Sequence, residues 1–252
     1  MSWIKRLFAY LHRDDSRVSD ALWARIVTLS SAARHLDAGS MARLRHDAAA
    51  FIQEKSFESA NGMILDDAMR LQIALHACLL TLNLRHIDYG DLHSIIVYPD
   101  VFIAPHQQID QSGVVHAGDL ALAGESWLRG PVVLSWSTVR NPRPAGNVII
   151  HEFAHKIDGV NGAVNGFPPM PSAMSARRWS AVFQEAFEEL SRRLDAGEPA
   201  GIDPYAAMNA AEFFAVCCEC FFEDPDSLVT AFPGVYDQLE TFFAQSTLSK
   251  GD

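Results

Sequence analysis

The chain has 252 residues, a formal net charge of −11, 49% hydrophobic residues and 20% charged residues, which is an ordinary globular composition with length enough to bury a core. That excludes a disordered chain, and an acidic balance without a basic run argues against direct binding to nucleic acid. The four cysteines, Cys78, Cys217, Cys218 and Cys220, do not make a disulfide framework; they read as small apolar fillers on a buried helix, in a reducing, cytoplasmic setting.

Residues 1–17 stand apart as an N-terminal segment. Trp3, Ile4, Leu7, Phe8 and Leu11 mix there with Lys5, Arg6 and Arg13, a pattern open to a membrane-surface helix, to a short helix packed on the domain or to a frayed, flexible end. The segment lacks the features of a signal peptide, and no apolar run reaches the ~18 residues of a transmembrane span. Residues 18–252 are expected to form a single domain, with a helical N-terminal part (18–92) and a catalytic part (93–252).

Residues 18–90 read as helical, free of Pro, with Ala21, Leu22, Ile26 and Leu29, then Met69, Ile73, Ala77 and Leu80, at helical spacing. Asp66 and Asp67 suit a helix N-terminus. From residue 94 the texture changes to short strands. Ser94–Tyr98, Val101–Ala104, Gly113–His116, Leu120–Ala123 and Val132–Trp136 are candidates, punctuated by Gly and Pro and expected to form a small, mostly antiparallel or mixed sheet. Helices follow at Asn147–Ile157, with Asn147 as cap, at Ser175–Leu194, at Asn209–Phe222 and at Val235–Ala244. The loop 159–171, rich in Gly, Pro and Asn, is a candidate gate.

His151-Glu152-Phe153-Ala154-His155 carries the chemistry. On a helix the two imidazoles lie one turn apart on one face and can reach one zinc ion, while Glu152 projects toward the water that the zinc acidifies and can act as general base. The bland alternative is two core histidines bonded to backbone or water. A catalytic zinc usually takes a third protein ligand, and no His follows His155, so a carboxylate is required. Asp158, three residues on, suits a supporting role behind the ligands. Glu212 stands in an almost wholly apolar run, where a lone carboxylate is costly unless paired or metal-bound; with Asn209 it also matches a capping box, so ligand and cap are both open. Glu219, two turns on, is a second candidate ligand or a partner for a ligand histidine. Tyr205 either donates to a developing oxyanion or anchors a loop.

Several stretches together resemble the Mlc titration factor A family of bacterial zinc metallopeptidases. They are Ile96-Val97-Tyr98-Pro99, Gly130–Trp136, Asn147–Asp158, and Asp203-Pro204-Tyr205-Ala206-Ala207 running on to Glu212-Phe213-Phe214, Glu219 and Phe221-Phe222. The resemblance runs from about residue 20 to about residue 245; Cys218-Glu219-Cys220 departs from the Ser-Glu-Tyr expected there. It implies an α+β zincin-like fold, one zinc held by His151, His155 and Glu212, Glu152 as base and Tyr205 at the transition state. It also implies aminopeptidase-like cleavage of small peptide substrates and, as a regulatory partner, a transcriptional repressor of sugar uptake. The rival reading is a non-catalytic protein that sequesters a repressor and uses zinc structurally.

Overall fold

The computed structural model describes residues 18–84, 86–109, 115–122, 124–126 and 130–248. The segment 1–17, the start of the strand expected at 113–116 and the end of that expected at 120–123 lie outside the described residues.

The N-terminal part begins with three helices, each capped by a side-chain oxygen. Ser19 accepts the Leu22 amide ahead of α1 (Asp20–Leu29), Asp37 accepts Ser40 ahead of α2 (Ala38–Glu54), and Asp66 accepts Met69 ahead of α3 (Asp67–Thr81). Met69, Ile73, Ala77 and Leu80 are all buried, and so are Leu71, Ala74, Leu75, His76, Cys78 and Leu79, so α3 is enclosed on nearly every side. The helical reading of 18–90 misses one element. Ser56–Ser59 forms strand β1, pairing parallel with β2 (Ser94–Tyr98). Ser-Phe-Glu-Ser carries no strand signature of its own; its pairing with β2 makes it a strand.

The main sheet has the order β1-β2-β6-β5. β1, β2 and β6 (Val132–Ser135) run parallel, and the edge strand β5 (Gly124–Ser126) runs antiparallel to β6. The sheet is mixed, one of the two forms expected, and its centre is parallel. The reason is that α3 crosses from β1 to β2, and the excursion from β2 to β6 contains the separate hairpin β3 (Phe102–Ile109) and β4 (Val115–Leu122). Trp136 does not end β6 but opens a short helix, α4 (Trp136–Arg140), whose cap is the Ser135 hydroxyl.

Helix α5 (Val148–Asp158) carries the two histidines. Ile150, Phe153, Ala154 and Ile157 on it are fully buried, and the Phe153 ring meets Phe51 at 5.9 Å and Tyr89 at 5.1 Å between centroids. A Phe so enclosed is worth about 3–5 kcal/mol against Ala, which ties the site-bearing helix firmly to the core.

Helix α6 (Ala176–Asp195) buries Trp179, Phe183, Ala186 and Leu190 and pairs Glu189 with Arg192 and Arg193 on its solvated face. Helix α7 (Ala210–Glu223) buries almost everything it carries, including Cys217, Cys218 and Cys220, all free thiols as is Cys78. Two more helices follow, α8 (Pro225–Ala231) and α9 (Pro233–Phe243). Pro225 starts α8 rather than only stopping α7, because its fixed φ and missing N–H suit a first helical turn. The last helix likewise begins at Pro233 and ends at Phe243, before Ala244 at φ 48°.

Candidate metal centre

Helices α5 and α7 pack against each other and bring together residues distant in sequence. One ligand atom from each of His151, His155 and Glu212 lies within 4.8 Å of the others. Glu212 Oε2 is 3.0 Å from His151 Nε2 and 3.4 Å from His155 Nε2. Ligand atoms about 2.0–2.1 Å from a tetrahedral zinc lie about 3.3 Å apart, so these two edges match such a set. Asn209 supplies the cap of α7, accepting the Ala211 and Glu212 amides at 3.0 Å each. The Glu212 carboxylate faces the two imidazoles.

His151 is held from behind as well. Its Nδ1 lies 2.7 Å from Glu219 Oε1, and the other Glu219 oxygen accepts the Asn147 backbone N–H at 2.5 Å. An ionised carboxylate only accepts, so Nδ1 carries the hydrogen. That leaves Nε2 facing an acceptor, Glu212 Oε2, a contact that requires either a second proton or a cation between them. Burial opposes charge on His151, but hydrogen bonds to Glu212 and Glu219 raise its pKa well above the ordinary value. Glu212 is also penalised by burial, yet its bonds to both histidines hold it below the usual carboxylate range. A site that stabilises a proton in this way has the donor set for a divalent cation in its place.

Glu152 is buried beside this group, and one of its oxygens has no hydrogen-bond partner, as has Nδ1 of His155. Burial, reinforced by the charges of Glu212 and Glu219 and opposed by the two histidines, pushes the Glu152 carboxyl up to about 7. Tyr205 lies on a short 3-10 turn, Pro204–Ala207, with its ring 6.1 Å from that of His151 and 39% of its surface exposed. Asp203 accepts the Tyr205 amide at 2.9 Å and pairs with Arg143 at 2.7 Å, while the Arg143 guanidinium stacks over the Tyr205 ring at 5.8 Å. Burial first, then the charges of Glu212 and Glu152, push the phenol up to about 12, so it stays a donor at neutral pH.

Asp158 is turned elsewhere. It is fully buried and accepts the amides of Asn165, Gly166 and Phe167 at 2.7, 2.6 and 2.9 Å. It thereby fastens the middle of the loop expected as a gate. Gly166 sits at φ +78°, and a Cβ there would come within 2.5 Å of the Ala210 carbonyl, so only Gly lets this loop lie against the start of α7. Sequence reasoning gave Asn147 as a cap but missed its grip on Glu219. It also missed Arg143, Asp203 and Glu223; the one-turn spacing from Glu219 to Glu223 is the only signal that pointed to the last.

A helix-borne pair of histidines met by a glutamate from a second helix, on an α+β zincin-like fold, defines the class as a metallopeptidase. The model of the glucose-regulated metallo-peptidase M90 family matches residues 4–244, and the chain belongs to that family. The match thus starts before residue 20, where the resemblance read from the sequence began. The chain is 37% identical over 203 residues to an uncharacterised protein of Synechocystis sp., covering 79% of this chain and 74% of that one. It is 34% identical over 220 residues to Mlc titration factor A of Serratia proteamaculans, covering 85% and 84%. It is also 34% identical over 213 residues to Mlc titration factor A of Yersinia pestis, covering 82% and 78%. Among the described residues no helix is long and apolar enough to cross a membrane.

Proposed function

We propose that this protein is a zinc-dependent peptidase that hydrolyses peptide bonds by direct attack of water, with His151, His155 and Glu212 as the metal ligands. Zinc held there supplies Lewis acidity, which acidifies water and polarises the peptide carbonyl. Glu152 takes the proton of the attacking water and returns it to the leaving amine. Tyr205 donates a hydrogen bond to the carbonyl oxygen as it gains charge. Glu219 fixes the tautomer and direction of His151. The substrate peptide extends along the edge of β5 that pairs with no other strand among the described residues. The observation that carries this reading is the meeting of both imidazoles and the Glu212 carboxylate beside a buried Glu152 oxygen without a partner.

A structural zinc would be closed by a fourth protein ligand. Among the described residues no fourth His, Cys, Asp or Glu joins the group, which favours a site open to substrate. The preference for small substrates of the aminopeptidase kind rests on the family resemblance. The free cysteines support a reducing, cytoplasmic location. Relatives bear the name Mlc titration factor A, which favours a second role, binding a transcriptional repressor that controls sugar uptake.

The test is zinc content by elemental analysis together with hydrolysis of a chromogenic aminoacyl amide, in the wild type and in Glu152→Gln. Both proteins should carry a single zinc, and the variant should hydrolyse on the order of 100-fold or more slowly. A fully active variant would refute the mechanism. Repressor binding that survives in Glu152→Gln would separate the two roles.

A further inference from the structure

Glu212, Glu219 and Glu223 follow one another on α7 at i, i+7 and i+11, within about 20° of one line along the helix. Opposite them on α5 stand Asn147, His151 and His155, each one turn apart. The contacts pair the two stripes in antiparallel order. Glu212 meets both imidazoles, Glu219 bridges His151 and the Asn147 amide, and one oxygen of Glu223 accepts Asn147 Nδ2 at 2.6 Å. The other Glu223 oxygen accepts the Ser31 hydroxyl.

Two features of this arrangement exceed what helix formation needs. A cap requires one acceptor oxygen, and Asn147 Oδ1 already takes the Ile149 and Ile150 amides at 3.1 and 3.2 Å. Ser or Asp would serve as well for that; what Asn adds is the Nδ2 donor, and Glu223 receives it. Glu223 in turn ends α7, where the helix dipole disfavours a carboxylate, so its place there costs stability that its two donors offset.

We propose that Asn147 and Glu223 are a positioning pair for the metal centre, acting on His151 through Glu219. The inference rests on the reading of His151 as a metal ligand. Glu223 fixes the Asn147 side chain, and with it the direction of the Asn147 N–H. That N–H holds one oxygen of Glu219, so the other oxygen is aimed at His151 Nδ1. Loosening the far end of the chain lets the ring rotate away from the direction in which Nε2 binds the ion.

The test is the zinc dissociation constant, measured by competition with a chelator of known affinity, alongside the melting temperature of each metal-free form. Asn147→Ser keeps the cap and deletes the Nδ2 donor; Glu223→Ala deletes the acceptor. Each should weaken zinc binding about 10-fold, the lower end for partners that stand behind a ligand. The double variant should lose no more than the larger single loss, because both changes break one chain. Glu223→Gln, which keeps an acceptor oxygen, should recover most of the affinity. Lower melting temperatures with zinc binding unchanged would overturn the proposal and leave the pair a purely structural contact. Losses that simply add in the double variant would also overturn it. A wild type that binds no zinc would instead remove the metal-site reading itself, which separates the two failures.

Discussion

The two imidazoles of the site sit one turn apart on α5 yet are held in different ways. His151 is gripped at both ring nitrogens, by Glu219 behind and Glu212 in front. His155 meets Glu212 at its outer nitrogen, and its buried Nδ1 has no hydrogen-bond partner. Beyond His151 a polar chain continues to Asn147 and Glu223, whereas beyond His155 the helix ends at Asp158, whose carboxylate is spent on three loop amides. One imidazole is oriented by hydrogen bonds, the other by the helix and its packing. A carboxylate near an imidazole therefore braces the ring only if it faces it.

Substitutions can break this contrast. The largest effect is expected from Asp158→Ala, which strips the acceptor from the Asn165 and Gly166 amides, while the Phe167 amide keeps Asn165 Oδ1 at 3.1 Å. At about 1–3 kcal/mol for the buried Gly166 amide left unmet, and less for the exposed Asn165, unfolding measurements should register a loss of about 2–3 kcal/mol, with little change in zinc affinity. A zinc defect in Asp158→Ala comparable to that of Glu219→Ala would mean that both ligands are braced alike. Glu219→Ala itself should weaken zinc by about 10–100-fold, read by chelator competition. Tyr205→Phe should leave zinc content intact and lower kcat by up to about 100-fold, the scale of one oxyanion donor removed. Unchanged kcat would return Tyr205 to the role of loop anchor. The smallest effect belongs to Glu189→Gln on the solvated face of α6. Arg192 and Arg193 hold the Glu189 carboxyl down to about 2, so the pair's contribution is complete above the ordinary carboxylate range and fades as pH falls toward that value. Exposed pairs contribute little, so the melting temperature at neutral pH should barely move, and wild type and variant should converge in acid.

How far the sequence foretold this site depended on whether each signal was local. The His151 helix was legible because its cap, its spacing and its chemistry lie within one short run. Glu212 was half legible. Its neighbourhood suits a cap and a ligand equally, and the fold divides the two duties, giving the cap to Asn209 and turning Glu212 toward the imidazoles. Glu219 could be read as a partner of a ligand but Glu223 could not, since its use depends on how α7 lies across α5. Strand β1 was hidden for a similar reason, its identity coming from a neighbour that follows a whole helix later. Helix α8 is absent from the sequence reading; it begins at Pro225, and a proline suits the first turn of a helix as well as it breaks an interior one.

The matched stripes of α5 and α7 have a consequence for assembly. Sliding α7 by one turn, about 5.4 Å, would bring Val216 opposite the imidazoles in place of Glu212, or, in the other direction, would run past the start of the helix at Ala210. The spacing of the three carboxylates is irregular, so a slip that rescues one of them misplaces the others. The stripes act as a vernier between two helices: only one alignment of α7 engages all three acids at once, so these polar contacts check the register of α7 against α5.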